Sequence, residues 1–344
     1  MTAPALPTLL DSFSPVWAAP MAGGPTTPQL VIAAARAGHF AQLAAGYLSA
    51  TALAERITAV RAADIGTFGV NLFVPEPHPV EPAAYSAYAA ELAAEADRFG
   101  LTDPLPDIRE DEDDWDSKVA ALLSDPVPVV SFTFGLPEPS VFDSFRAVGT
   151  RTVQTVTSAA EALRASEAGA DLLLVQGPGA GGHSGIWARD TLPADVALTD
   201  LVTEVRSTVD LPVVAAGGIA DAEAVARVLA AGAAAVSVGT SLLRATEAGT
   251  NPVHQQALSD PRFTETTLTR AFTGRPARAL VNRFVREHDD QAPSGYPALH
   301  HLTKPLRTAA TQAGDPDGLH LWAGTGWRTT RAAPVADILA SLVP

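Results

Sequence analysis

The sequence predicts an α/β protein, a TIM (β/α)8 barrel with a mainly helical extension after its eighth strand. Three observations carry this. Short apolar runs alternate with helix-patterned segments eight times between Val16 and Val238. The runs are near-continuously apolar, as parallel strands covered on both faces are. Their span is close to the ~250 residues that such a barrel takes. An open doubly wound sheet is the competing arrangement, and the even spacing of short strands argues against it.

The elements follow in order. Val16 to Pro20 is the first strand, broken by Met21-Ala22-Gly23-Gly24-Pro25, after which Thr26 or Thr27 caps a helix from about Pro28 to Ala37. Phe40 to Ala45 is the second strand, and Thr51 to Ala63 is its helix, with Leu53, Ile57 and Val60 at helical spacing. Phe68 to Phe73 is the third strand, and it carries a polar residue, Asn71, near its end. An alanine-rich helix, Pro82 to Phe99, precedes a proline-rich and acidic stretch, Leu101 to Asp116, which reads as a solvated insertion. The unit resumes with strand four at Val127 to Phe134, a helix near Pro137 to Val148 and strand five at Arg151 to Val156. Helix Ser158 to Glu167 stops at Gly169, and Leu172 to Val175 is strand six. Helix Leu198 to Val209 leads to strand seven, Pro212 to Ala216, and Asp221 caps the helix that precedes strand eight, Ala234 to Val238. The predicted organisation is therefore a barrel over 1–243 with an acidic insertion near 101–116, a mainly helical extension over 244–333 that covers the barrel mouth, and a helix over 334–344 that returns to the barrel.

Composition bounds the function. Of 344 residues, 47% are apolar and 18% charged, as in a soluble globular protein. A formal net charge of -15 argues against nucleic acid or an anionic membrane surface as the partner. The absence of cysteine excludes disulfides, thiolate metal sites and a cysteine nucleophile. MTAPALPTLLDSFSP lacks a basic region followed by an apolar core, so the expectation is a cytoplasmic protein with no export signal. The most apolar longer window, Val225 to Leu243, holds Arg227 and two glycines and divides into a helix end and a strand.

Barrels of this type build their site at the C-terminal ends of the strands. The unusual residues of this chain fall there: Pro20 to Gly23, Asn71, Gln176, Gly217-Gly218 and Gly239-Thr240. After strand six the chain enters a loop of five glycines, Gly177, Gly179, Gly181, Gly182 and Gly185, around one histidine, His183. Glycines let backbone N–H groups approach a ligand closely, and a histidine among them is a candidate base or donor. The plainer alternative is a flexible turn carrying a surface histidine. Glycine turns after strands seven and eight, each leading into a helix N-terminus, form the usual phosphate pocket of these barrels. Their plainer role is close strand-to-helix packing. No histidine pair at ligand spacing accompanies a carboxylate at a predicted strand end, so no metal is expected. Ser184 and Ser241 lie outside any nucleophile-elbow sequence. There is no Walker loop, and Gly23-Gly24-Pro25 has the wrong spacing for a dinucleotide fingerprint.

With these residues in place, the chain resembles the nitronate monooxygenases, formerly called 2-nitropropane dioxygenases, which are FMN-dependent barrels. The resemblance rests on APMAGG at Ala19 to Gly24, Asn71-Leu72, GAGGHSG at Gly179 to Gly185, AAGGI at Ala215 to Ile219, VGTS at Val238 to Ser241 and YPALHHLTKPLR at Tyr296 to Arg307. It implies that Asn71, Gln176, Gly181, Gly218 and the run Ser237, Val238, Gly239, Thr240 contact FMN, the run around the phosphate beside Gly217. It places Met21 and Ala22 along the ring, makes His183 the catalytic histidine, and draws Tyr296, His300 and Lys304 into the substrate pocket. Two positions depart from the family pattern: Gly179 stands where a glutamate is frequent, and His300 where some relatives have tyrosine. The implied reaction is oxidation of alkyl nitronates, and of nitroalkanes, by O2 to a carbonyl compound and nitrite, in a monomer or homodimer. The alternatives are an FMN-dependent NAD(P)H reductase of a quinone or enoyl thioester, and a non-catalytic flavin-binding module.

Overall fold

The computed structural model describes residues 10–75, 78–103 and 105–344. The first nine residues, part of the stretch read for an export signal, lie outside them, as does residue 104 of the acidic insertion. Eight parallel strands close into a barrel. In chain order they are β1 (Ser14–Ala18), β2 (His39–Ala44), β3 (Gly69–Phe73), β4 (Val129–Thr133), β5 (Arg151–Val156), β6 (Leu172–Gln176), β8 (Val213–Ala216) and β9 (Ala235–Val238), with β1 closing on β9. Between β6 and β8 a two-residue strand, β7 (Gly182–His183), leaves the barrel. The predicted seventh and eighth strands are thus β8 and β9.

Strand period decides what faces the ligand. On β6, Leu173 and Val175 pack outward with the surrounding helices, while Leu172 and Leu174 join the barrel interior. Interior positions then run from apolar at the closed end to polar at the open end: Leu172, Leu174, Gln176 on β6; Val129, Ser131, Thr133 on β4; Ala235, Ser237 on β9. The closed end is filled by Trp17, Phe40 and Val153, with Leu10 and Phe13 packed beneath. Helix starts are set as the residues demand. Thr27 accepts from Leu30 N while Thr26 Oγ1 accepts from Met21 N at 2.8 Å, so the two threonines divide the capping and the closing of the first loop. Ser158 and Asp221 cap the helices at Ala159–Ala168 and Ala222–Ala230, and Gly169 ends the first of these in the left-handed region.

Beyond β9 the extension contains helices Pro252–Ala257, Arg283–His288 and Ala298–Ala313, and also two strands that the sequence did not signal, β10 (Thr266–Thr269) and β11 (Ala277–Leu280). These strands have four residues each and no alternating apolar pattern, which leaves little for a periodicity argument. The antiparallel sheet they form takes β7 as its third strand, Ala277 opposite His183, so the glycine loop is pinned to the extension. The extension and the excursion after β3 bury a core of their own, in which Tyr85, Tyr88 and Leu92 meet Phe272, Phe284, Leu299 and Leu306. Helix Val335–Ala340 returns to pack Ile338 and Leu339 into the barrel's outer layer. The acidic insertion is mostly exposed but tied down: Glu110 accepts from Val80 N, Asp114 from Ala50 N, and Asp111 meets His301 Nε2 at 2.6 Å. Its acids therefore serve as anchors as well as a solvated face.

Candidate functional site

A cavity of about 670 Å³ opens at the C-terminal ends of the strands, between the barrel and the extension. It gathers every residue predicted to contact a cofactor, from Met21 and Ala22 through Asn71, Gln176, Gly181, Gly217, Gly218 and Ser237 to Thr240, together with His183, His300 and Lys304. Tyr296 is buried behind this lining, with its ring 5.6 Å from that of His183 and its hydroxyl 3.5 Å from Tyr47 Oη.

One wall suits a phosphate. Gly217 has φ +115°, and a Cβ there would lie 2.7 Å from Gly177 O; Gly218 has φ +73° and faces Thr325 Oγ1. Only glycine fits these two positions without strain. Close packing and ligand approach are therefore both served by the same pair. The amides of Gly218 and Gly239 have no hydrogen-bond acceptor among the described residues, and Thr240 Oγ1 accepts from Gly324 N at 3.0 Å, closing this corner with the extension.

Asn71 is buried, and its amide nitrogen donates to Ser131 Oγ at 2.9 Å and to Thr133 Oγ1 at 3.0 Å. Its carbonyl oxygen is left as an acceptor in the cavity wall. Gln176 also supports the glycine loop, since its Oε1 accepts from Gly185 N at 2.7 Å and holds that turn in place.

His183 is enclosed by the rings of Phe134, Tyr296 and Trp322, at 5.7, 5.6 and 5.3 Å. Nε2 lies 2.8 Å from Thr273 Oγ1, which fixes the ring and leaves Nδ1 with no partner among the described residues. Burial, seconded by the nearby Arg307 cation, pushes its pKa down to about 3, so the ring is neutral at physiological pH. Three further cavity histidines follow it. Burial lowers His254 to about 4 and holds His300 and His320 well below the usual imidazole range. Burial likewise holds the Tyr296 phenol well above its ordinary value, and desolvation raises that of Tyr47, which is 37% exposed, so both keep their protons.

Several contributors have no signal in the sequence. Tyr47 stacks flat on His300, ring centroids 4.4 Å apart, and Phe134 lies under the Arg275 guanidinium at 4.1 Å. Both aromatics have positive φ, 68° and 83°, a conformation that L-residues with bulky side chains avoid. Arg275 in turn donates to the Ile186 and Ser184 carbonyls and so braces the glycine loop. Thr273, Trp322 and His320 arrive from the extension across large sequence separations that no local pattern reports. Arg307 was readable: His300, Lys304 and Arg307 stand at i, i+4 and i+7 of helix Ala298–Ala313 and share one face. One cluster of metal-ligand type occurs among the described residues, Glu95, Glu287 and His288. It lies outside the cavity lining, and both carboxylates already pair with Arg283.

The sequence model of the family described as nitronate monooxygenase matches residues 7–344. A probable nitronate monooxygenase of Staphylococcus saprophyticus is 34% identical over 340 residues, 97% of this chain and 95% of that one. One of Staphylococcus aureus strain Newman is 32% identical over 98% of this chain and 96% of its own. Among solved structures, a nitroalkane oxidase from Streptomyces ansochromogenes is 47% identical and superposes with a TM-score of 0.92 over 97% of this chain and 96% of the other. FabK from Thermotoga maritima is 25% identical, with a TM-score of 0.75 over 99% and 95%.

Proposed function

Since the chain belongs to the nitronate monooxygenase family, we propose that it is an FMN-dependent oxidase of alkyl nitronates, consuming O2 and releasing nitrite and a carbonyl compound. The observation that carries the reading is one cavity with two unlike walls. Glycine amides with no acceptor among the described residues line the first, and a neutral, immobilised histidine inside an aromatic cage marks the second. A mononucleotide beside a small substrate is within the usual range for a cavity of about 670 Å³.

The residues fit FMN. Gly217, Gly218 and Ser237 to Thr240 would hold its phosphate, the Asn71 carbonyl and the Met21-Ala22 turn its ring, and among the described residues no carboxylate lines the cavity to repel the phosphate charge. When bound, the flavin supplies the electron transfer between substrate and O2.

The chain's own residues then set which substrate form is used. A base works best when its pKa lies near the operating pH. His183, at about 3, is far below it and is a weak acceptor for a carbon-bound proton. A nitronate has already lost that proton and needs no base. For a neutral nitroalkane, Nδ1 of His183 is the nitrogen available to take it, and Thr273 holds the ring in place for the transfer. Nitronate is therefore the better substrate and nitroalkane the slower one.

The test is to purify the protein, extract and identify its flavin, and follow O2 uptake and nitrite release with ethyl nitronate in the absence of NADH. Stoichiometric nitrite from a yellow, FMN-containing protein is the expected result. A protein that takes up no FMN, or that holds FMN yet releases nitrite only when NADH is added, defeats the proposal.

A further inference from the structure

The chain carries a net charge of -15, yet among the described residues no aspartate or glutamate lines this cavity. Two permanent cations do, Lys304 and Arg307, three residues apart on helix Ala298–Ala313. Lys304 is exposed at the mouth, whereas Arg307 is 7% exposed. Its Nε donates to Thr303 Oγ1 at 3.1 Å and its Nη2 to His300 O at 2.7 Å. Among the described residues Nη1 meets only His320 Nε2, at 3.5 Å. No carboxylate lies within ion-pair distance of Arg307 among the described residues, although the buried Glu95 has Arg283 at 2.6 Å and the buried Lys118 has Asp113 at 2.7 Å.

A buried charge without a counter-ion is costly, and stapling a helix to two neutral acceptors does not require one. The guanidinium fork is suited to two oxygens held in one plane. Its place also connects it to the reacting side of the cavity. His300 and His320, which Arg307 touches, contact the rings of Tyr296 and Trp322, and both of those contact His183. The histidines between them are neutral; Arg275 is also buried near His183, over the Phe134 ring, but Arg307 is the buried arginine that lines the cavity.

We propose that Arg307 is the anchor for the substrate's charged N–O oxygens, so that this enzyme selects the ionised nitronate over the neutral nitroalkane by charge at Arg307 rather than at His183. This rests on reading the cavity as a nitronate site. Charge-assisted hydrogen bonds are roughly twice as strong as neutral ones, and a neutral nitro group forfeits that advantage.

The experiment uses flavin-loaded wild type, Arg307→Gln and Arg307→Lys. KM and kcat are measured for ethyl nitronate and nitroethane, and nitrite, a planar anion with the same O–N–O unit, is titrated by calorimetry. The expectation for Arg307→Gln is a KM for nitronate raised by about 10- to 100-fold, a KM for nitroethane changed less than about 3-fold, and a parallel loss of nitrite affinity. Arg307→Lys, which keeps the charge but not the fork, recovers part of both. Unchanged nitronate KM and nitrite affinity in Arg307→Gln overturn the proposal. If that variant fails to fold, the wild type decides: nitrite must bind and compete with nitronate, and failure to do so overturns it equally. Loss of nitrite binding in Arg307→Gln, together with a wild type that never oxidises nitronate, would keep the anion site and discard the assigned reaction.

Discussion

Acid sensitivity is the most quantitative consequence of a cavity lined by neutral histidines. His254 is 7% exposed, its Nε2 donates to Trp322 O at 3.0 Å, and burial holds its pKa at about 4. In the unfolded chain the same ring titrates near ~6.5. Between these values the unfolded state binds a proton that the native state does not, so stability is present above pH ~6.5 and is lost as the pH falls toward 4. Between pH 7.5 and 5.5 one such ring removes about 1 kcal/mol, against a total of roughly 5–15 for a folded protein, and His183, His300 and His320 act in the same direction. The assay is the denaturant midpoint of flavin-saturated protein at these two pH values, for wild type and for His254→Gln, whose amide keeps a donor for Trp322 O. The variant should lose about 1 kcal/mol less than wild type on acidification. An identical pH dependence in both would refute the claim that His254 is buried neutral.

Three other outcomes follow from the geometry. His183→Asn should still purify with FMN while losing turnover, by about 10²- to 10⁴-fold for nitroalkane and by less for nitronate; steady-state kinetics on both substrates check this, and equal losses would contradict the base role. In the wild type, kcat/KM for nitronate should show no step near pH ~6.5, the ordinary imidazole value, because His183 stays neutral down to about 3; a pH profile is sufficient. Gly217→Val places a Cβ 2.7 Å from Gly177 O at φ +115°, so it should cost about 1–3 kcal/mol of stability, read as a lower thermal midpoint, and release flavin during gel filtration.

Much of this was legible because a barrel writes its topology locally. On β6, Leu172, Leu174 and Gln176 fall on one face by strand period alone, which tells both the interior and where it turns polar. The glycine turns were legible because positive φ at Gly217 and Gly218 leaves little choice of residue. What covers the barrel was not. β10 and β11 exist because β7 offers an edge to pair with, and that edge comes from 90 residues earlier, as in the bond from His183 to Thr273. Tyr47 and Phe134 are held against their backbone preference by partners from the extension and the glycine loop, such as His300 and Arg275, which no window of sequence contains.

The central claim, that this cavity passes electrons from nitronate to a flavin with no nicotinamide, is tested most directly by anaerobic rapid mixing. Purified protein is mixed with ethyl nitronate in one experiment and with NADH in another, and flavin absorbance is followed. The predicted result is rapid loss of the yellow absorbance with nitronate and none on that timescale with NADH. Rapid loss with NADH and none with nitronate would contradict it.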